Sequence, residues 1–292
     1  MLSLEKMKIK KIVALQYYKL KFGLLGLLFP EKATRVAFKL FCTPYSGKPK
    51  RTVPLIFENA ESIEVLTAGN ITLRGWCWKP EEELSNGKKI LILHGFDSCA
   101  YKFEKYIRPL KKEGFTLYAF DAPGHGISDG KTINSLQYKN AILKMEEDFG
   151  VFYGMMAHSI AGLAVSLATE KLPNLQKLVL IAPAVEITRP IESFANMVGL
   201  SNNIKELFYA HIIKIGGLPI SYYDSRKAMI NVEIKTLWLH DKDDKICPFK
   251  DIEPFINTKP EHINFYITNG LGHSNIYRET STIKEILKFF VQ

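Results

Sequence analysis

Short apolar runs of strand length, separated by stretches with helical spacing, recur through most of the chain and restrict what it can fold into. The runs Ile71–Lys79, Lys89–Leu93, Thr116–Phe120, Val151–Met156, Lys177–Ile181, Thr236–Leu239 and Ile263–Ile267 are rich in β-branched and large apolar residues. Stretches such as Phe103–Lys112 and Ile283–Phe290 carry apolar residues at helical spacing. Continuous apolar strands alternating with helices predict an α/β chain with a mostly parallel central sheet covered by helices on both faces. Several runs end in polar, glycine-rich peptides: "HGFDS", "DAPGHGISDG" and "TNGLGHSNIY". Ligands of such sheets bind beyond the carboxyl ends of the strands, where these peptides fall.

A length of 292 residues at 47% hydrophobic content suits one large α/β domain with a sizeable core. Cys42, Cys77, Cys99 and Cys247 lack CxxC pairing or close spacing, which argues against a zinc site or a disulfide framework and suits a reducing, cytoplasmic compartment. Charge is uneven: residues 1–52 hold twelve Lys and Arg against only Glu5 and Glu31, more than the whole net +9, so the remainder is close to neutral.

Residues 1–53 are expected to form a basic, mainly helical extension and linker, with the α/β domain at 54–292. Within the extension, Ala33, Val36, Ala37, Leu40 and Phe41 share one helical face, away from Lys32, Arg35 and Lys39. The longest clean apolar run, Phe22–Phe29, is eight residues, well short of the ~20 that span a bilayer. "FPEK" follows it in place of a small-residue cleavage site, so neither a span nor a cleaved leader is expected. Two readings stand for the segment: peripheral contact of residues 1–52 with an anionic membrane surface, or packing on the body with solvated lysines. Nucleic acid is a poorer partner, because the bases are interleaved with apolar residues. "TPYSGKPKRTVP" (Thr43–Pro54) reads as a linker or extended arm. Between about 184 and 232 lie "IESFANMVGL" and "NNIKELFYAHIIKIGGLPI", apolar and helix-like; a connection this long predicts a helical cap, and an apolar cap a hydrophobic substrate.

The stretch "VFYGMMAHSIAGLAVSLATE" runs from an apolar strand through small residues into a helix, with Ser159 at the turn. A nucleophile elbow has this form, but its usual Gly-x-Ser-x-Gly pattern carries Ala157 and Ala161 here, with Gly162 following. Nucleophilic hydrolysis also needs a base, a group to orient it and donors for the oxyanion. "LHDKDDKICPF" offers Asp244 as the orienting acid, with Asp241 and Asp243 read as a solvated acidic turn, and "TNGLGHSNIY" offers His273 as the base. Ser159, Asp244 and His273 follow one another in the Ser–Asp–His chain order.

From about Ile71 to Phe290 the chain resembles the α/β-hydrolase fold superfamily. "LHGFDSCAYKF" is similar to that family's His-Gly segment and "DAPGHGISDG" to its Asp-x-x-Gly-His-Gly-x-Ser segment. The His-Gly opening and Ser128–Gly130 look most like esterases of the monoacylglycerol-lipase type. The resemblance departs at Ala157, Ala161 and Asp241, where many relatives have glycine. It implies an oxyanion hole of the Phe96 and Ile160 backbone N–H groups, and Ile160 opens a helix whose N-terminus favours negative charge. His94, His125 and His158 are read as loop-fixing scaffold residues. The expected function is a serine hydrolase that cleaves a hydrophobic carboxylic ester through an acyl-enzyme, with neither metal nor organic cofactor. An acyltransferase, a thioesterase and a non-catalytic binding protein on the same fold stay open as alternatives.

Overall fold

A computed structural model describes residues 2–49, 51–230 and 232–292, with side chains from residue 12 onward. Met1, Lys50 and Asn231, which fall in the expected extension, linker and cap, lie outside the described residues, as do the side chains of Lys6, Lys8, Lys10 and Lys11.

The chain divides into two compact units, one formed by Pro44–Val185 and Asp224–Gln292, the other by the residues up to Thr43 and Glu186–Tyr223. The first holds an eight-stranded sheet: β1 (Glu61–Thr67), β2 (Ile71–Trp78), β3 (Lys89–Leu93), β4 (Thr116–Phe120), β5 (Gly154–His158), β6 (Lys177–Ile181), β7 (Lys235–Asp241) and β8 (Ile263–Thr268), in the order β1-β2-β4-β3-β5-β6-β7-β8. β2 pairs antiparallel with β1 and β4, and all later pairings are parallel. Successive side chains of a strand point to opposite faces, and the core divides accordingly. Leu91 and Leu93 of β3, Met155 and Ala157 of β5, and Leu178 and Leu180 of β6 enter one cluster with the helices Ser135–Phe149 and Ile160–Ala168. Ile90, Ile92, Met156, Val179 and Ile181 enter another with the helices Glu104–Lys112 and Thr280–Val291. The mostly parallel sheet with helices on both faces is the α/β architecture expected from the alternation.

Two strand assignments need correction. β1 was not anticipated; it is a half-exposed edge strand registered on β2 from Glu61↔Cys77 to Thr67↔Ile71. The run Val151–Met156 pairs only from Gly154, and the strand extends to His158. The helix begun by an Asn134–Gln137 capping box ends at Gly150 (φ 77°), and Val151 is left exposed on the connection.

The other unit is helical: Leu2–Leu28, Pro30–Phe41, Thr188–Val198 and Asn202–Gly216. Ala33 and Ala37 are fully buried, and Phe38 and Phe41 meet Phe194 and Phe208 edge to face at 5.3–5.8 Å. Small residues at the contact let helix axes approach, and aromatic edges fill the remainder. The neck of the insertion is closed within the sheet unit, where the Ser225 N–H donates to Val185 O (2.8 Å) and Ser225 Oγ to Ala184 O (2.6 Å). Among the described residues no helix is long and apolar enough to cross a membrane.

Candidate active site

The carboxyl ends of β5, β7 and β8 bring Ser159, Asp244 and His273 together. Ser159 has φ 58° and ψ −122° between β5 and the helix Ile160–Ala168, backbone that side-chain-bearing residues rarely adopt and that costs on the order of 1–3 kcal/mol. Its N–H donates to Ile181 O (3.1 Å), and its carbonyl accepts from the Ala184 N–H (3.0 Å), so the end of β6 holds the turn. Ala157 and Ala161 are fully buried without disrupting it. The close approaches fall on two other glycines. A Cβ on Gly162 would meet Pro183 Cβ at 2.6 Å, and one on Gly95 would meet His158 Nδ1 at 2.7 Å and Ser159 Cβ at 2.9 Å.

His273 Nε2 lies 3.0 Å from Ser159 Oγ, and His273 Nδ1 lies 2.7 Å from Asp244 Oδ2. Asp244 is buried, and its other oxygen accepts from the Ile246 and Cys247 N–H groups, both at 2.8 Å. These donors aim Oδ2 at the imidazole; with Nδ1–H donating to it, Nε2 is left as the acceptor that faces the serine hydroxyl. The N–H groups of Phe96 and Ile160 donate to no acceptor among the described residues.

Asp241 corrects the sequence reading. It is not solvated but fully buried, and it accepts from Thr268 Oγ1 (2.6 Å) and from the N–H groups of Asp243 (2.9 Å), Leu271 (3.0 Å) and Gly272 (2.9 Å). Burial alone would raise its pKa, but these donors outweigh burial and hold the carboxyl below its ordinary value. Asp243 is exposed as expected, yet it too accepts from the His loop, at the Gly270 N–H (2.9 Å). The three acids of "DKDD" thus all grip "TNGLGH".

The three accessory histidines contact backbone. His94 Nε2 accepts from the Ala122 N–H and Nδ1–H donates to Gly95 O, while His125 Nε2 accepts from the Asp97 N–H and Nδ1–H donates to Pro123 O. Burial pushes both rings down to about 4, which matches a neutral ring that accepts at one nitrogen. His158 Nε2–H donates to His273 O (2.9 Å), and burial, then the neighbouring His273, holds its pKa well below the ordinary value. The Cys247 thiol is buried beside Asp244, and burial pushes its pKa well up.

Comparisons with known proteins bear on the fold. The family model described as serine aminopeptidase, S33 matches residues 85–214, which include Phe96, Ser159 and Ile160 but neither Asp244 nor His273. An esterase of Pyrococcus furiosus superposes with a TM-score of 0.58 at 18% identity, over 83% of this chain and 96% of that one. The chain has the α/β-hydrolase fold. Proteins similar to this chain are named as esterases and hydrolases. A Mycoplasma pneumoniae protein named as esterase/lipase 2 is 22% identical to it over 245 residues, 69% of this chain and 87% of the relative. Est1E of Butyrivibrio proteoclasticus, with ferulic acid bound, superposes with a TM-score of 0.58 at 16% identity, over 78% of this chain and 99% of that one.

Proposed function

We propose that this α/β-hydrolase cleaves a small carboxylic ester with a hydrophobic acyl group in two steps. His273 takes the Ser159 proton as Oγ attacks the ester carbonyl, and Asp244 stabilises the imidazolium that forms. The Phe96 and Ile160 N–H groups hold the oxyanion, aided by the positive end of the helix that Ile160 opens. The imidazolium then gives its proton to the leaving alcohol as the acyl-enzyme forms. Water, deprotonated by His273, attacks that ester, and the proton returns to Ser159 as the acid departs. The observation that carries this reading is the hydrogen-bonded series from Asp244 through His273 to Ser159, at 2.7 and 3.0 Å. Phe96 and Ile160, half-buried against the apolar core beside the serine, support a hydrophobic acyl group. Intact-mass analysis after fluorophosphonate treatment tests it: wild type gains one adduct and Ser159→Ala gains none. A folded wild type that takes no adduct refutes the nucleophile.

We infer in addition that the helix Leu2–Leu28 rests on an anionic lipid surface. Val13, Tyr17, Leu20, Leu24 and Leu27 recur along one side of this helix and are exposed, although Phe22 on its other side is buried within its own unit. An exposed apolar stripe is not satisfied by the opposite, packed face, and the excess of Lys and Arg in residues 1–52 complements anionic headgroups. Vesicles containing phosphatidylserine should pellet the wild type and leave Leu20→Glu/Leu24→Glu in the supernatant. Equal pelleting of the two, or none of the wild type, removes this role.

A further inference from the structure

The peptide read from sequence as a linker or extended arm is tied down at four of its described residues. The Ser46 N–H and Oγ–H donate to the two carboxylate oxygens of Asp97, at 2.8 and 2.7 Å. Arg51 Nη1 donates to Ser98 O at 3.1 Å, and the Lys48 ammonium donates to Ser128 O. The Tyr45 ring meets the Phe96 ring edge to face, with centroids 5.6 Å apart. Three of these four contacts land on residues 96–98, the loop that offers the Phe96 N–H.

That loop needs external support. Asp97 sits at φ 57°, in the left-handed region where asparagine and aspartate are the side chains best tolerated. Its N–H is held by His125 Nε2 at 2.9 Å. On the other side, His94 Nδ1–H fixes Gly95 O at 2.7 Å. Gly95 O and the Phe96 N–H belong to one planar trans peptide, so holding the carbonyl points the N–H the opposite way. The peptide carrying the oxyanion donor is therefore fixed on one side by His94. On the following residue it is fixed by His125 through the backbone and by Ser46 through the side chain. The two histidines are buried, whereas Ser46 is exposed and comes from outside the sheet.

We propose that Ser46 and Asp97 are positioning residues for the Phe96 oxyanion donor, and that residues 44–49 act as a strap across the loop. This rests on the reading of Phe96 as an oxyanion donor. An exposed pair of this kind adds little to global stability, but an oxyanion donor acts only within a narrow range of distance and direction. The strap therefore affects the rate of the chemical step more than substrate binding or folding.

The test uses the full chain, a nitrophenyl ester and a trifluoromethyl ketone that mimics the tetrahedral intermediate, with active sites counted by fluorophosphonate labelling. Per labelled site, Ser46→Ala should lower kcat by about 3- to 10-fold and Asp97→Ala by about 10- to 100-fold, within the cost of losing one oxyanion donor. KM should hold within about twofold while ketone affinity falls in step with kcat, as expected for an interaction made only in the transition state. Ser46→Thr, which keeps both donors, should restore wild-type values. Asp97→Asn, which suits the left-handed backbone and keeps one acceptor, should fall between Asp97→Ala and wild type, and it replaces the alanine variant in the comparison if that variant is poorly folded. The strap has no positioning role if Ser46→Ala and Asp97→Asn match wild type per labelled site, or if kcat falls without weaker ketone binding. Absence of wild-type labelling instead overturns the hydrolase reading, and the strap's role with it.

Discussion

Replacing Ser159 with alanine is expected to lower kcat for ester hydrolysis by about four to six orders of magnitude, with KM little changed. His273→Ala should do nearly the same, and the double variant should lose no more than either single one. Such non-additivity follows because the hydroxyl and the imidazole act as a unit: neither transfers a proton without the other. Residual turnover should remain above the uncatalysed rate, from substrate binding and the Phe96 and Ile160 N–H groups. Single-turnover and steady-state kinetics on purified protein, with the variants' folding verified by circular dichroism, check this. If Ser159→Ala retains a tenth of wild-type activity, another residue is the nucleophile.

The second large effect is expected at Asp241, which sequence reading set aside. Asp241→Asn should lower kcat by about 10- to 100-fold and the melting temperature by about 6–10 °C, because hydrogen bonds to charged groups contribute about 1.5–3 kcal/mol each. An amide turns one of its two ends, an NH2, toward donors now satisfied by carboxylate oxygens: Thr268 Oγ1 and the Leu271 N–H on one, the Asp243 and Gly272 N–H groups on the other. Two of those backbone donors immediately precede His273, so releasing them lets the imidazole drift from Ser159. Asp243→Asn should change kcat by less than about threefold, since that carboxylate is exposed and makes one contact to the loop, at the Gly270 N–H. Parallel kinetics and thermal unfolding of the two variants decide it: if Asp241→Asn behaves like Asp243→Asn, the buried carboxylate does not position the base.

The contrast between the two aspartates shows where sequence stops being informative. His273 follows the half-buried edge strand β8 and stood out by its glycine-rich loop. The juxtaposition of Ser159 and Asp244 was legible because each follows a strand buried on both faces, which stands out as a continuous apolar run. Asp241 ends a strand of the same kind, but its donors lie 27 to 31 residues downstream in the His loop, apart from the Asp243 N–H. Nothing near it in the chain distinguishes a buried acceptor from a solvated acid. The partners of the strap were hidden for a related reason. Proline, glycine and basic residues report how the backbone bends and not what it touches, and Ser46 finds its partner 51 residues away. β1 was missed because an edge strand with one exposed face has a weak hydrophobic signal, and its register is set by β2. Val151 misled in the opposite way: it is apolar yet exposed, so hydrophobicity alone placed the start of β5 too early.

The crowding around Ser159 has a consequence for how such enzymes are recognised. Here the narrow places are filled by Gly162, packed on Pro183, and by Gly95, contributed by a different strand end. The residues flanking the serine at two positions' distance are fully buried alanines. A genome screened with the pentapeptide Gly-x-Ser-x-Gly would therefore discard this chain, and with it any relative that relocates its glycines in the same way. A query written as a three-dimensional constraint would keep them: a serine on left-handed backbone, two points where no side chain fits, and a histidine within reach.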